Sequence, residues 1–150
     1  MFHLKYFKEE AGVGDGDRFV KKASGRYYTG EPAGKELARR IAIAYYLSHQ
    51  EVRAISVIDP FGGDGRLLEW LIEAWTELGY PQVSWNASIW DLDTVGFETA
   101  RTRLTNIALK TRAQIKQNYL AVDAFAEALS RAGSFDIVLT NPPWELLKPD

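Results

Sequence analysis

The run Asn141-Pro142-Pro143-Trp144 carries the most specific chemistry in this 150-residue chain. Two prolines fix φ and delete two backbone donors, so the run presents carbonyl oxygens and the Asn141 side chain, with a planar ring directly behind. Such a corner suits a flat base bearing an exocyclic NH₂. Asn141 Oδ1 and the Pro142 carbonyl would accept its two protons while Trp144 stacks on the ring. Three other runs hold polar groups. Asp59-Pro60-Phe61-Gly62-Gly63-Asp64-Gly65 brings three glycines within four residues, where backbone can approach a ligand without a Cβ in the way. Its carboxylates, Asp59 and Asp64, suit amino or hydroxyl donors better than a pyrophosphate. Because Gly62 and Gly63 are adjacent, it is not the spaced G-x-G-x-x-G of a dinucleotide fold; a tight strand–helix turn is the plain alternative. In Trp90-Asp91-Leu92-Asp93, Asp91 is placed to accept from ribose hydroxyls and Asp93 to cap the helix that follows. In Val122-Asp123-Ala124-Phe125, Asp123 can accept from a ring amine with Phe125 packed on the ring, or serve simply as a helix cap.

The elements that must position these runs follow from periodicity. Leu37, Ile41 and Tyr45 fall four apart and predict a helix over 32–48, with Pro32 in its first turn. AISVID (54–59) is a short branched apolar run stopped by the glycine turn, hence a buried strand. Leu67, Leu68, Leu71, Ile72, Trp75 and Leu78 continue at helical spacing until Gly79 and Pro81. A second strand is expected at 84–90, a helix at 93–110, a third strand at 117–122, a short helix at 124–129 and a fourth strand at 135–140. Strands alternating with helices at this spacing predict an α/β domain with a doubly wound parallel sheet. In such sheets ligands gather at the carboxyl ends of the strands, where all four runs fall.

Composition narrows the possibilities. Apolar residues make up 46% of the chain, and 18 Lys+Arg stand against 20 Asp+Glu for a net charge of −2, so a stand-alone nucleic-acid binder is disfavoured. There is no cysteine for a disulfide, a zinc–thiolate site or a thiolate nucleophile, and two histidines, His3 and His49, are too few for a histidine-built metal cluster. No metal is therefore expected. No run approaches the roughly 18 apolar residues of a membrane span. The start, MFHLKYFKEE, lacks the apolar stretch of a secretory signal, so the expected location is cytoplasmic, without a membrane. Residues 1–25, charged and glycine-rich, read as a loosely ordered arm before a domain over 26–150.

Taken together, the runs resemble the S-adenosylmethionine-dependent amino-methyltransferases, most closely the DNA adenine-N6 group. Asp59-Pro60-Phe61-Gly62-Gly63-Asp64-Gly65 looks like the family's methionine-binding loop, Asp91 matches its ribose acid, and Asp123, Ala124 and Phe125 approximate its adenine contacts, with Leu92 beside Asp91. Asn141-Pro142-Pro143-Trp144 matches the catalytic (D/N/S)PP(Y/F/W) motif, with Trp144 a permitted variant of the commoner Tyr. Upstream, Gly25-Arg26-Tyr27-Tyr28-Thr29-Gly30 is similar to the G-x-Y-Y-T-P segment that covers the methionine moiety, with Gly30 in place of Pro.

The resemblance implies a Rossmann-like sheet of the class I methyltransferase type, S-adenosylmethionine as cofactor, and methyl transfer to adenine N6 in DNA, as in restriction–modification systems, on a base flipped out of the duplex. It leaves cytosine-N4, an RNA base or a protein glutamine open as acceptor, and also an inactive methyltransferase-like scaffold. Family sheets carry seven strands where four are legible here. The expectation is therefore an amino-terminal portion completed by a longer polypeptide or a second subunit, with the fourth strand at an exposed edge.

Overall fold

The computed structural model describes residues 29–142. The arm over 1–25, Tyr27, Tyr28, Pro143 and Trp144 lie outside the described residues. The elements run α1 (Glu31–Ser48), β1 (Ala54–Asp59), α2 (Arg66–Glu77), β2 (Ser84–Trp90), a 3₁₀ turn (Thr94–Gly96), α3 (Phe97–Thr111), β3 (Gln114–Leu120), α4 (Ala124–Ala128) and β4 (Ile137–Val138). The four strands form one parallel sheet in the order β3-β2-β1-β4.

Alternation along the strands sorts side chains to the two faces. Ile55 and Val57 of β1 and Trp85, Ala87 and Ile89 of β2 bury against Ala38 and Ala42 of α1, Leu68, Leu71 and Ile72 of α2, and Leu104 of α3. Full burial of each large aliphatic contributes roughly 1.5–3 kcal/mol, so this face holds the domain together. Trp75 anchors the end of α2, its indole N–H donating to the Pro81 carbonyl at 2.8 Å. On the opposite face Ile58 and Trp90 cluster with Ala124 of α4, flanked by Phe61, Leu120, Val122 and Phe135.

Two strands depart from the expected ranges. β3 starts at Gln114 rather than 117 and ends at Leu120, because its register is set by β2: Ser84 pairs with Gln114 and Trp90 with Leu120. Its polar positions Gln114 and Lys116 are exposed, as suits a strand at the sheet's edge. β4 is regular only at Ile137 and Val138, since β1 alone pairs with it among the described residues. Flanking bonds from the Asp136 amide to Ser56 C=O (2.8 Å) and from the Leu139 amide to Ile58 C=O (2.9 Å) keep 136–139 extended beside β1. β4 ends the strand order, so among the described residues it is an edge strand, as the sequence suggested, and its Val138 is 60% exposed. The expected helix over 93–110 divides into the 3₁₀ turn, capped by Asp93 Oδ1 accepting the Val95 amide at 2.9 Å, and α3.

Candidate functional site

The strand order opens a crevice at the carboxyl edge. From β1 the sheet grows outward to β2 and β3. The chain then returns to lay β4 on the other side of β1, so the loops after β1 and β4 part company there. The Leu139–Ile58 backbone bond is the last rung of the ladder, and Asn141 follows two residues later. Asn141 and Pro142 are both half-buried.

The turn after β1 is closely tied. The Gly62 amide donates to Trp90 C=O at 3.0 Å, the Gly65 amide to Gly62 C=O at 2.8 Å, and the Phe61 amide to Asp59 Oδ1 at 3.1 Å. Gly65 has φ +74°, and a Cβ there would stand 2.9 Å from the Ala100 methyl, so glycine is required for both reasons. Asp91, at the end of β2, accepts the Gly63 amide on Oδ2 (3.1 Å) and the Asp93 amide on Oδ1 (2.9 Å). The loop before α3 leans on the same turn: a Cβ at Gly96 would collide with the Gly63 carbonyl. Neither Gly96 nor this contact was legible as functional, although a glycine opening a helix just after an acidic strand end is a usable sign of close approach.

One expectation is corrected. Asp64 does not face a ligand. It is 6% exposed, and its carboxylate accepts Arg66 Nε (3.0 Å) and Nη2 (2.8 Å) and Arg103 Nη2 (3.2 Å), while Arg103 Nη1 also binds Glu69 (2.9 Å). Two guanidinium groups consume the charge that the sequence appeared to offer to a ligand. Asp64 therefore locks α2 and α3 beneath the turn.

Asp59 is 2% exposed. Burial pushes its carboxyl up to about 7, and the negative charges of Asp91 and Asp64 act in the same direction, against the Phe61 amide and the Thr140 hydroxyl. Pro60 and Phe61 are half-buried beside it.

Farther along the edge, Leu92 and Phe125 are 74% and 72% exposed, with Val95 nearby in sequence also exposed. The Phe125 ring lies 5.2 Å from that of Phe61, tilted by 53°. Asp123 caps α4, its Oδ1 accepting the Phe125 amide at 2.9 Å, and the Ala124 side chain is buried in the cluster with Ile58 and Trp90. Thr29 reaches the exit of the turn, its carbonyl accepting Arg66 Nη1 at 3.4 Å. Among the described residues no group of three or more His, Cys, Asp or Glu is placed to hold a metal ion. None of the described helices is long and apolar enough to cross a membrane.

No protein-family profile matches the chain, and no curated protein does. Solved structures do. A Listeria monocytogenes protein described as a class I S-adenosylmethionine-dependent methyltransferase superposes with a TM-score of 0.54 at 21% identity, over 85% of this chain and 37% of that one. A Klebsiella pneumoniae protein described as an O-methyltransferase gives 0.35 at 16% identity, over 81% and 57% of the two chains. The α/β sheet in the order β3-β2-β1-β4 is thus a Rossmann-like fold, similar to that of the Listeria protein. This chain spans little more than a third of the length of the Listeria protein.

Proposed function

We propose that this chain binds S-adenosylmethionine along the carboxyl edge of its sheet and supplies the amine-gripping corner for methyl transfer, with adenine N6 in DNA as the acceptor. The observation that carries this reading is that the Asn141–Pro142 corner and the glycine turn follow the carboxyl ends of two paired parallel strands, β4 and β1, at the switch-point crevice.

The residues fit the cofactor. Asp91 uses one lone pair of each oxygen on a backbone amide, and a carboxylate has about four such positions, so capacity remains for ribose hydroxyls. Leu92 and Phe125 offer apolar faces to an adenine ring. The glycine turn gives backbone access for an amino-acid tail, with Thr29 at its exit. When bound, S-adenosylmethionine supplies an electrophilic methyl group on a sulfonium.

The remaining work falls to the chain. An exocyclic amine conjugated to a ring is a poor nucleophile. Asn141 Oδ1 and the Pro142 carbonyl, accepting its two protons, would draw the nitrogen toward tetrahedral geometry and stabilise the positive charge that develops there. No strong base is needed, because the proton becomes acidic only as the new bond forms. Trp144, by the resemblance, stacks on the extruded base and offsets about 1–3 kcal/mol of the cost of flipping. The exposed edge at β4 favours further strands, from the same polypeptide or a second subunit, to complete the pocket and read the DNA.

The test is to incubate the protein with isotopically methyl-labelled S-adenosylmethionine and duplex DNA, then digest to nucleosides and analyse them by mass spectrometry. Label in N6-methyladenine is expected. Label in RNA or in a glutamine-containing peptide instead would move the acceptor. Calorimetry showing affinity for NAD but none for S-adenosylmethionine would end the reading altogether.

A further inference from the structure

Two buried polar groups meet where β1 and β4 part, and the chemistry above uses neither. Asp59 ends β1 with its carboxyl sealed from solvent and Oδ1 on the Phe61 amide. Thr140 comes two residues after β4. Its hydroxyl is buried without a hydrogen-bond partner among the described residues, and the Leu139–Ile58 rung sets it at the strand end next to that of Asp59. Among the described residues the charged groups around Asp59 give it no counter-ion: Asp91 from the end of β2 and Asp64 from the glycine turn are both negative, and Arg66 of α2 and Arg103 of α3 are paired with Asp64. Past the Leu139–Ile58 rung, Pro60 has no N–H with which β1 could extend the ladder. A side-chain contact is therefore well placed to fix how far apart the two loops stand.

We propose that Thr140 and Asp59 form a clasp across the crevice, and that both are positioning residues setting the distance of the Asn141 carboxamide from the glycine turn. The purpose of the clasp rests on the methyl-transfer reading; the contact itself does not. With Asp59 ionised, the Thr140 hydroxyl donates to it. With Asp59 protonated, the same pair can bond in either direction. The clasp thus holds in both states, and removing the hydroxyl withdraws a stabiliser of the ionised one.

The test has two arms on the whole chain. The first follows aspartate ¹³Cγ resonances through a pH titration without ligand, with Asp59→Asn to assign the signal. Wild-type Asp59 is expected to titrate near neutrality. Thr140→Val should raise its midpoint by about 0.5 pH unit, roughly a threefold tighter hold on the proton, and Thr140→Ser should restore it. Thr140→Ala makes the same deletion if the valine variant does not fold. An unmoved midpoint in both deletions overturns the clasp.

The second arm measures methyl transfer. Thr140→Val is expected to lower kcat roughly tenfold with KM for S-adenosylmethionine nearly unchanged, and Thr140→Ser to recover it. A loss confined to KM, or an equal loss in the serine variant, overturns the positioning role. A wild-type protein that titrates as expected but fails to bind S-adenosylmethionine refutes the methyl-transfer reading and leaves the contact standing.

Discussion

The Gly63 amide donates to Asp91 Oδ2 at 3.1 Å, while Oδ1 of the same carboxylate takes the Asp93 amide at 2.9 Å. One side chain thereby ties the turn after β1 to the loop after β2, and its remaining lone pairs leave capacity for the ribose contact proposed above. Asp91→Ala removes the tie and the acceptor together. A hydrogen bond to a charged group is worth about 1.5–3 kcal/mol, so affinity for S-adenosylmethionine should fall at least about tenfold by calorimetry. Unchanged affinity would move the ribose contact elsewhere.

Gly96→Ala tests the packing of the α3 loop on the glycine turn. The new Cβ would strike the Gly63 carbonyl, which is backbone and cannot swing aside as a side chain would. Overpacking of this kind costs about 1–3 kcal/mol, and the displaced Gly63 should also disturb its bond to Asp91. The expected outcome is a lower Tm together with weaker cofactor binding. A variant with wild-type Tm and affinity would show that the turn gives way freely.

Asp64→Asn separates a structural acid from a ligand-binding one. Asparagine cannot hold both guanidinium groups, and Arg103 already has one buried nitrogen, Nε, without a partner among the described residues. Because Arg66 and Arg103 are partly solvated, the loss should be nearer about 2 kcal/mol than the full cost of a severed interior pair. Denaturant unfolding should show this, while affinity of the folded protein for S-adenosylmethionine stays within a few-fold. A selective loss of affinity would restore Asp64 to the binding site.

How far the sequence could be read depended on what each residue's neighbours had to supply. β1 declared itself because Ile55, Val57 and Ile58 are buried on both faces of an inner strand, and the glycine turn punctuates its end. β3 declared itself only in part: a strand was expected over 117–122, but Gln114 and Lys116 look like loop until Ser84–Trp90 provides their register. Three strand-end runs were legible because Asp59, Asp91 and Asp123 each follow an apolar residue directly, and the fourth because of its proline pair. The fate of Asp64 was not: its partner Arg103 stands 39 residues away and reaches it only through the packing of α2 on α3. Thr140 carried no signal at all, being a strand-end threonine until the pairing of β4 with β1 sets it at the strand end next to that of Asp59.

The pH dependence of stability should carry the mark of Asp59. Its folded-state pKa is raised by burial from 3.8 to about 7, so between these values the folded chain binds more protons than the unfolded one. Stability then falls as pH rises, since the slope follows the unfolded minus the folded proton count. The contribution is whole below the unfolded pKa, near 4, and is lost by the time pH has passed about 7. Asp59→Asn removes the titrating group while Oδ1 can still accept the Phe61 amide. Its Tm profile should be flatter across this window and should exceed the wild type above neutrality. Parallel profiles for the two proteins would show that Asp59 does not titrate there.

Asn141→Ala addresses the chemical step. The side chain leaves β4 two residues past the last rung to β1, while the groups assigned to the cofactor lie on the loops after β1, β2 and β3. Truncating it should leave those groups in place, with affinity for S-adenosylmethionine within a few-fold of wild type. What goes, on the proposed mechanism, is an acceptor for a nitrogen that turns positive only as the methyl arrives, an interaction stronger in the transition state than before it. Removing one such preorganised group typically costs a factor of about 10²–10³ in kcat. Asn141→Asp keeps an acceptor of the same shape with more negative charge, and should retain a substantial part of the rate. Single-turnover transfer with saturating cofactor separates the outcomes: a slow step in alanine and partial rescue in aspartate support the acceptor role. Equal rates in all three proteins would mean that the amine is held by something other than this corner.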